Sequence, residues 1–123
     1  MVITMCHKIL VVDDEDGMRR FLSTVLTRAG YDVVAAEGVE AGMRVLDEEA
    51  PLDLLITDIR LGDFNGLQLL AMHPLSIPAI VVTGFPDPVL EAEARQLGAT
   101  FVLKPFVPAE LLTIVEELLR DRP

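Results

Sequence analysis

With 123 residues, 51 % of them hydrophobic and 24 % charged, the chain has the length of one domain rather than two, and its composition favours a folded domain over a disordered one. A net charge of −10 argues against direct binding of nucleic acid, whose phosphates call for clustered Lys and Arg. No apolar run approaches the roughly 20 residues that cross a bilayer, the first residues lack the basic-then-apolar pattern of a signal peptide, and the lone Cys6 forms no internal disulfide.

A cytoplasmic domain with no membrane partner is therefore expected. Residues 1–7 have no period and read as a loose leader. The run Ile9-Leu10-Val11-Val12 is apolar without alternation, as in a strand buried on both faces, and it ends on Asp13-Asp14-Glu15. Met18, Phe21, Leu22, Val25, Leu26 and Ala29 then recur at helical spacing, and Gly30 supplies the left-handed residue that closes a helix. Asp32 to Ala36 forms a second short strand, and Val39, Met43 and Leu46 line a helix that must stop before Pro51. The central apolar run Leu54-Leu55-Ile56-Thr57 ends on Asp58.

Beyond it, the loop Leu61-Gly62-Asp63-Phe64-Asn65-Gly66, with its glycines and Asn-Gly pair, predicts a tight turn, and a short helix from Gly66 to Met72 is cut off by His73-Pro74. Ala79 to Val82 is a fourth buried strand ending on Thr83-Gly84. Asp87-Pro88 has the form of an N-cap followed by proline at the first helical position, and Gly98 closes that helix. The fifth strand, Thr100 to Leu103, ends on Lys104-Pro105. Pro108 opens the last helix, with Leu111, Leu112, Val115, Leu118 and Leu119 as its buried stripe, and residues 121–123 form a tail or the start of a linker.

Doubly buried strands joined by helices imply an α/β fold: a five-stranded parallel sheet with helices on both sides, a three-layer α/β/α sandwich. Ligands of such sheets bind outside the carboxyl ends of the strands. Those ends carry Asp13-Asp14, Asp58, Thr83 and Lys104. Carboxylates gathered there repel one another and raise at least one pKa unless a cation neutralises them, and oxygen-only ligation suits Mg²⁺ or Mn²⁺. A hard metal, an ammonium at Lys104 and a hydroxyl at Thr83, with Gly84 leaving room beside it, point to phosphoryl chemistry with Asp58 as nucleophile.

Taken in order, Ile9-Leu10-Val11-Val12-Asp13-Asp14-Glu15, Asp58-Ile59-Arg60-Leu61 ahead of Asn65-Gly66, Thr83-Gly84 and Lys104-Pro105-Phe106 resemble the receiver domain of two-component response regulators over residues 8–120. The resemblance implies a flavodoxin-like strand order 2-1-3-4-5. It implies that Asp58 accepts a phosphoryl group from a sensor histidine kinase or phosphotransfer protein. Asp14 and Asp58 would hold Mg²⁺ directly, Asp13 largely through water, and Arg60 through its backbone carbonyl. Lys104 would pair with the phosphoryl group, Thr83 would swing to hydrogen-bond it, and Phe101 resembles the switch aromatic that turns inward as Thr83 moves.

The output would be a shift of the face made by the fourth helix, fifth strand and fifth helix, read by an output domain or downstream protein, with a homodimer on phosphorylation left open. Such a domain is not an enzyme in the ordinary sense, since it catalyses only its own phosphorylation and dephosphorylation. Some features depart from the usual pattern: Gly62 stands where many relatives have proline, and the third helix is about a turn short. Phe85 is bulky and predicts slow hydrolysis of the phosphoaspartate. Arg19 and Arg20 are expected to be exposed and to offer a kinase-docking patch. Two other readings remain at this point. One is a pseudo-receiver that only docks partners. The other is a Mg²⁺-dependent phosphohydrolase of the haloacid dehalogenase type, although that family usually has a second Asp where this chain has Arg60.

Overall fold

Aliphatic runs with no polar face can be satisfied only between two layers, and the runs at 9–12, 54–57 and 79–83 become fully buried inner strands. The strands at Asp32–Ala36 and Ala99–Leu103, also expected to be buried on both faces, form half-buried edges. A computed structural model of the chain describes residues 7–48, 51–61, 64–72, 77–85 and 87–120. Cys6, Gly62, the His73-Pro74 stop and the tail at 121–123 lie outside the described residues. The strands are β1 (Lys8–Val12), β2 (Asp32–Ala36), β3 (Leu54–Asp58), β6 (Ala79–Thr83) and β7 (Ala99–Leu103), with two short strands, β4 (Arg60–Leu61) and β5 (Phe64–Asn65), between them in the chain. Their order in the sheet is β2-β1-β3-β6-β7, all parallel, which is the expected 2-1-3-4-5 once the two short strands are set aside.

The pleat divides the strand side chains between two cores. Ile9, Val11, Leu54, Ile56, Ile80 and Val82 face α1 (Asp16–Arg28) and α5 (Pro108–Leu119), which contribute Leu22, Leu26, Leu111, Val115 and Leu119. Leu10, Val12, Leu55, Ala79 and Val81 face α2 (Val39–Glu48), α3 (Gly66–Met72) and α4 (Pro88–Gln96), where Leu67, Leu69, Leu70 and Ala94 are buried. At about 25 cal/mol per Å² of apolar surface, these clusters are the main source of stability.

The chain-reversal signals act as expected. Gly30 (φ +98°) and Gly98 (φ +82°) adopt left-handed backbone just beyond α1 and α4. The Asp87 carboxylate accepts from the Val89 and Leu90 amides with Pro88 following it, so α4 starts where the sequence places it.

The chain reverses within the loop 61–66 as expected, Arg60–Leu61 pairing antiparallel with Phe64–Asn65. Gly66 lies past this reversal, as the first residue of α3. The glycine is needed for close approach. A Cβ there would lie 2.1 Å from the Asp58 carbonyl oxygen and 2.7 Å from Thr57 Oγ1. Gly66 thus lets α3 begin directly against the end of the central strand, with its amide donating to the Ile59 carbonyl at 2.8 Å.

Candidate functional site at the strand carboxyl ends

Parallel pairing brings together side chains that lie far apart in sequence. β1 and β6 flank β3, and β7 follows β6, so the ends of four strands converge. Asp14, Glu15, Asp58, Thr83, Gly84, Phe85 and Lys104 line one cleft of about 340 Å³ at this edge. Asp58 is the last residue of β3, paired opposite Val82. Behind it the Thr57 hydroxyl, fully buried, donates to the Asp58 carbonyl at 3.0 Å.

Lys104 is the electrostatic centre. Its Nζ donates to Asp58 Oδ2 at 2.7 Å and stands 3.7 Å from Asp13 Oδ2. Burial alone would lower the lysine pKa, but the Asp58 hydrogen bond and the charges of Asp58, Asp13 and Glu15 outweigh it, and the pKa is raised. Asp13 is 1 % exposed, and its pKa is raised as well. The principal cause is burial, with Asp58 and Asp14 adding to it against the opposing Glu15 amide and Lys104. The sequence argument anticipated the direction from carboxylate repulsion. Desolvation turns out to be the larger contribution.

Local backbone chemistry fixes the acidic loop. The Asp13 amide donates to the Ala36 carbonyl at 3.1 Å, and Asp13 Oδ1 accepts from the Glu15 amide at 2.9 Å, an Asx turn that leads into α1. Asp14 is exposed to the cleft between these two anchored residues. On the opposite side, Thr83 is 1 % exposed and its Oγ1 accepts from the Phe85 amide at 3.2 Å. The Lys104 amide donates to the Thr83 carbonyl at 2.7 Å, and the Lys104-Pro105 peptide is cis. Phe85 is 57 % exposed at the mouth of the cleft. Phe101, half-buried on β7 opposite Val81, packs on the α4 side of the sheet and not in the cleft.

Among the described residues, no group of three or more His, Cys, Asp or Glu is arranged to enclose a metal ion. The donors that do converge are all oxygens. Asp14 and Asp58 line the cleft, and Asp13 lies within 3.7 Å of the same ammonium that Asp58 binds. Arg60, whose carbonyl completes the expected set, lies two residues beyond Asp58 in β4. Such a set fits a hard divalent cation that keeps several of its waters rather than one caged by protein.

Two features escaped the sequence reading. Arg19 is not an exposed docking residue: its side chain is 20 % exposed, its Nη1 donates to the Asp13 carbonyl at 2.8 Å, and its Nη2 pairs with Asp16 Oδ1. The i, i+3 spacing of Asp16 and Arg19 was the available signal. Arg20, by contrast, is exposed as expected. Thr57, the one polar residue inside an apolar strand, was the signal for the buried hydroxyl behind Asp58.

Comparison with known proteins identifies the family. A model of the response regulator receiver domain matches residues 9–116. The chain is 32 % identical to the regulatory protein AtoC of Escherichia coli over 96 % of its own length and 26 % of that protein's. It is 33 % identical to the alkaline phosphatase synthesis transcriptional regulatory protein PhoP of Bacillus subtilis, over 94 % of this chain and 50 % of that one. It thus spans between a quarter and a half of these relatives. Among solved structures, a CheY-like response regulator receiver domain protein from Methanospirillum hungatei superposes with a TM-score of 0.87 at 26 % identity, covering 95 % of this chain and 96 % of the other. The chemotaxis response regulator CheY4 of Vibrio cholerae gives 0.83 at 26 % identity, over 94 % and 100 %. On fold and sequence alike, the chain belongs to the family of response regulator receiver domains.

Proposed function

We propose that the domain is a phosphoacceptor switch that takes a phosphoryl group onto Asp58 from the phosphohistidine of a sensor kinase or phosphotransfer protein. The observation that carries this reading is the lysine contact: Lys104 Nζ lies 2.7 Å from Asp58 Oδ2, on a carboxylate that opens to a cleft. An Asp58 oxygen attacks phosphorus in line, the P–N bond breaks as the P–O bond forms, and the imidazole leaves with the electron pair. Asp58, Asp14, the Arg60 carbonyl and, through water, Asp13 are the groups suited to hold Mg²⁺, which when bound offsets the charge of the transferring phosphoryl oxygens. Lys104 moves from carboxylate to phosphoryl oxygen with little displacement, as a flexible point charge does readily. Thr83 supplies a hydroxyl donor on the other side of Asp58.

The acyl phosphate places a charge of about −2 at the rim, and this biases the face formed by α4, β7 and α5, with Thr83 and Phe101 as the moving side chains. An output domain or downstream protein would read that face. Two-component signalling in the cytoplasm is the setting this chemistry fits, and no described helix is long and apolar enough to cross a membrane. The test is intact mass after incubation with Mg²⁺ and acetyl phosphate. One added phosphoryl group, dependent on Mg²⁺ and lost in Asp58→Asn, is expected. No adduct under conditions that preserve acyl phosphates would leave a docking module as the function.

A further inference from the structure

We infer that Arg19 is a positioning residue that sets the affinity of the rim for its divalent cation by clamping the peptide between Asp13 and Asp14. The inference rests on reading those acids as cation ligands. The oxygen that Arg19 Nη1 holds at 2.8 Å is the Asp13 carbonyl, which belongs to the Asp13–Asp14 peptide. Because a peptide unit is planar, holding that oxygen fixes the plane from which the Asp14 side chain departs toward the cleft. Glu15 and Asp13 hold the loop on either side of this point through the 2.9 Å Asx bond and the 3.1 Å bond to Ala36. Asp14 thus presents an exposed carboxylate from a stretch of backbone that is held on both sides.

Arg19 is itself held. Nη2 pairs with Asp16, and its amide bonds the Glu15 carbonyl at 2.9 Å, so the guanidinium is pre-aimed within the first turn of α1. One planar fork supplies both donors, Nη1 to the Asp13 carbonyl and Nη2 to Asp16, and a lysine ammonium cannot reproduce that fixed pair. Positioning and simple charge predict opposite signs. Removing a cation beside a cation site should tighten Mg²⁺ binding if only charge matters, whereas loss of the clamp should weaken it.

The experiment is calorimetric titration of the full chain with MgCl₂ and no phosphodonor, with folding checked by thermal melting. For Arg19→Met, which keeps the apolar stem, binding about tenfold weaker or more is expected, the size typical of losing a group that orients a metal ligand. Arg19→Lys should fall between Arg19→Met and the parent chain, and Arg20→Ala should match the parent. Unchanged or tighter binding by folded Arg19→Met overturns the inference. Should Arg19→Met not fold, Arg19→Lys decides alone: parental affinity overturns the clamp, and weakened binding upholds it. A parent chain that binds no Mg²⁺ overturns the Mg²⁺-dependent phosphoacceptor reading together with the clamp, whereas parental binding with an indifferent Arg19→Met removes only the clamp.

Discussion

The two ends of the sheet are bonded alike and charged differently. At the amino end, Asp32 N to His7 O (3.0 Å), Asp53 N to Lys8 O (2.8 Å) and Leu55 N to Pro78 O (3.1 Å) continue the ladder into the loops, and Asp53 Oδ2 accepts from Lys8 N at 2.8 Å. At the carboxyl end, Asp13 N to Ala36 O, Ile59 N to Val82 O and Lys104 N to Thr83 O do the same. What sets the carboxyl end apart is a buried carboxylate, a second carboxylate and an ammonium crowded above the last backbone bonds. The backbone completes the fold at both ends, and the carboxyl end crowds two carboxylates within 3.7 Å of one ammonium.

The sharpest way to break this contrast is to exchange a carboxylate at each end. Asp58→Asn should abolish phosphoryl uptake by intact mass. Asp53→Ala should take up phosphate like the parent while losing about 1 kcal/mol in denaturant melts, the worth of one hydrogen bond. Equal uptake by the two variants would remove the functional distinction. Next in size is a pair of glycines. Gly66→Ala should cost about 3 kcal/mol because its Cβ meets the Asp58 carbonyl, whereas Gly17→Ala in α1, with nothing within 4 Å, should be neutral or slightly stabilising.

Smaller still is the effect of buried charge. Because the folded Asp13 pKa lies above its ordinary value of 3.8, the unfolded chain ionises first, and stability falls as pH rises through the window from 3.8 to the raised value. Asp13→Asn should remove that decline in Mg²⁺-free thermal melts and raise the melting temperature at neutral pH. A steeper decline in the variant would refute the burial argument. The smallest effect belongs to Phe85. If the exposed Phe85 ring at the cleft shields the phosphoaspartate from water, Phe85→Ala should shorten its half-life a few-fold, followed by loss of the mass adduct. Seconds-scale loss from the parent chain itself would contradict the shielding.

The strands and the rim were legible because each doubly buried run has a sharp end, and a parallel sheet carries all such ends to one edge. Asp13, Asp14, Asp58, Thr83 and Lys104 needed only that rule to be placed together. Arg19 was not legible in this way: its neighbours in the fold are a carbonyl and a residue of its own helix turn, and a surface arginine has the same sequence. The close approach at Gly66 was hidden because Asn-Gly signals only a local turn, whereas this glycine also answers a contact with the end of a strand eight residues earlier. The dominance of burial over repulsion at Asp13 was equally hidden, since exposure depends on how α1 closes over the loop.

The bond from the Lys104 amide to the Thr83 carbonyl, 2.7 Å long, bears on degrees of freedom. It extends the β6–β7 ladder one residue past the Thr83–Leu103 pair, so the two main chains cannot slide past each other at the rim without breaking it. A response of these two residues to a ligand is therefore carried first by torsions, one χ angle for Thr83 and four for Lys104. Thr83 is 1 % exposed and Lys104 is tied to Asp58 at 2.7 Å, so neither turns at the picosecond-to-nanosecond rate of an exposed side chain. Each rotation first has to break a contact at the rim, and the pace of the response is set by the bonds around the nucleophile.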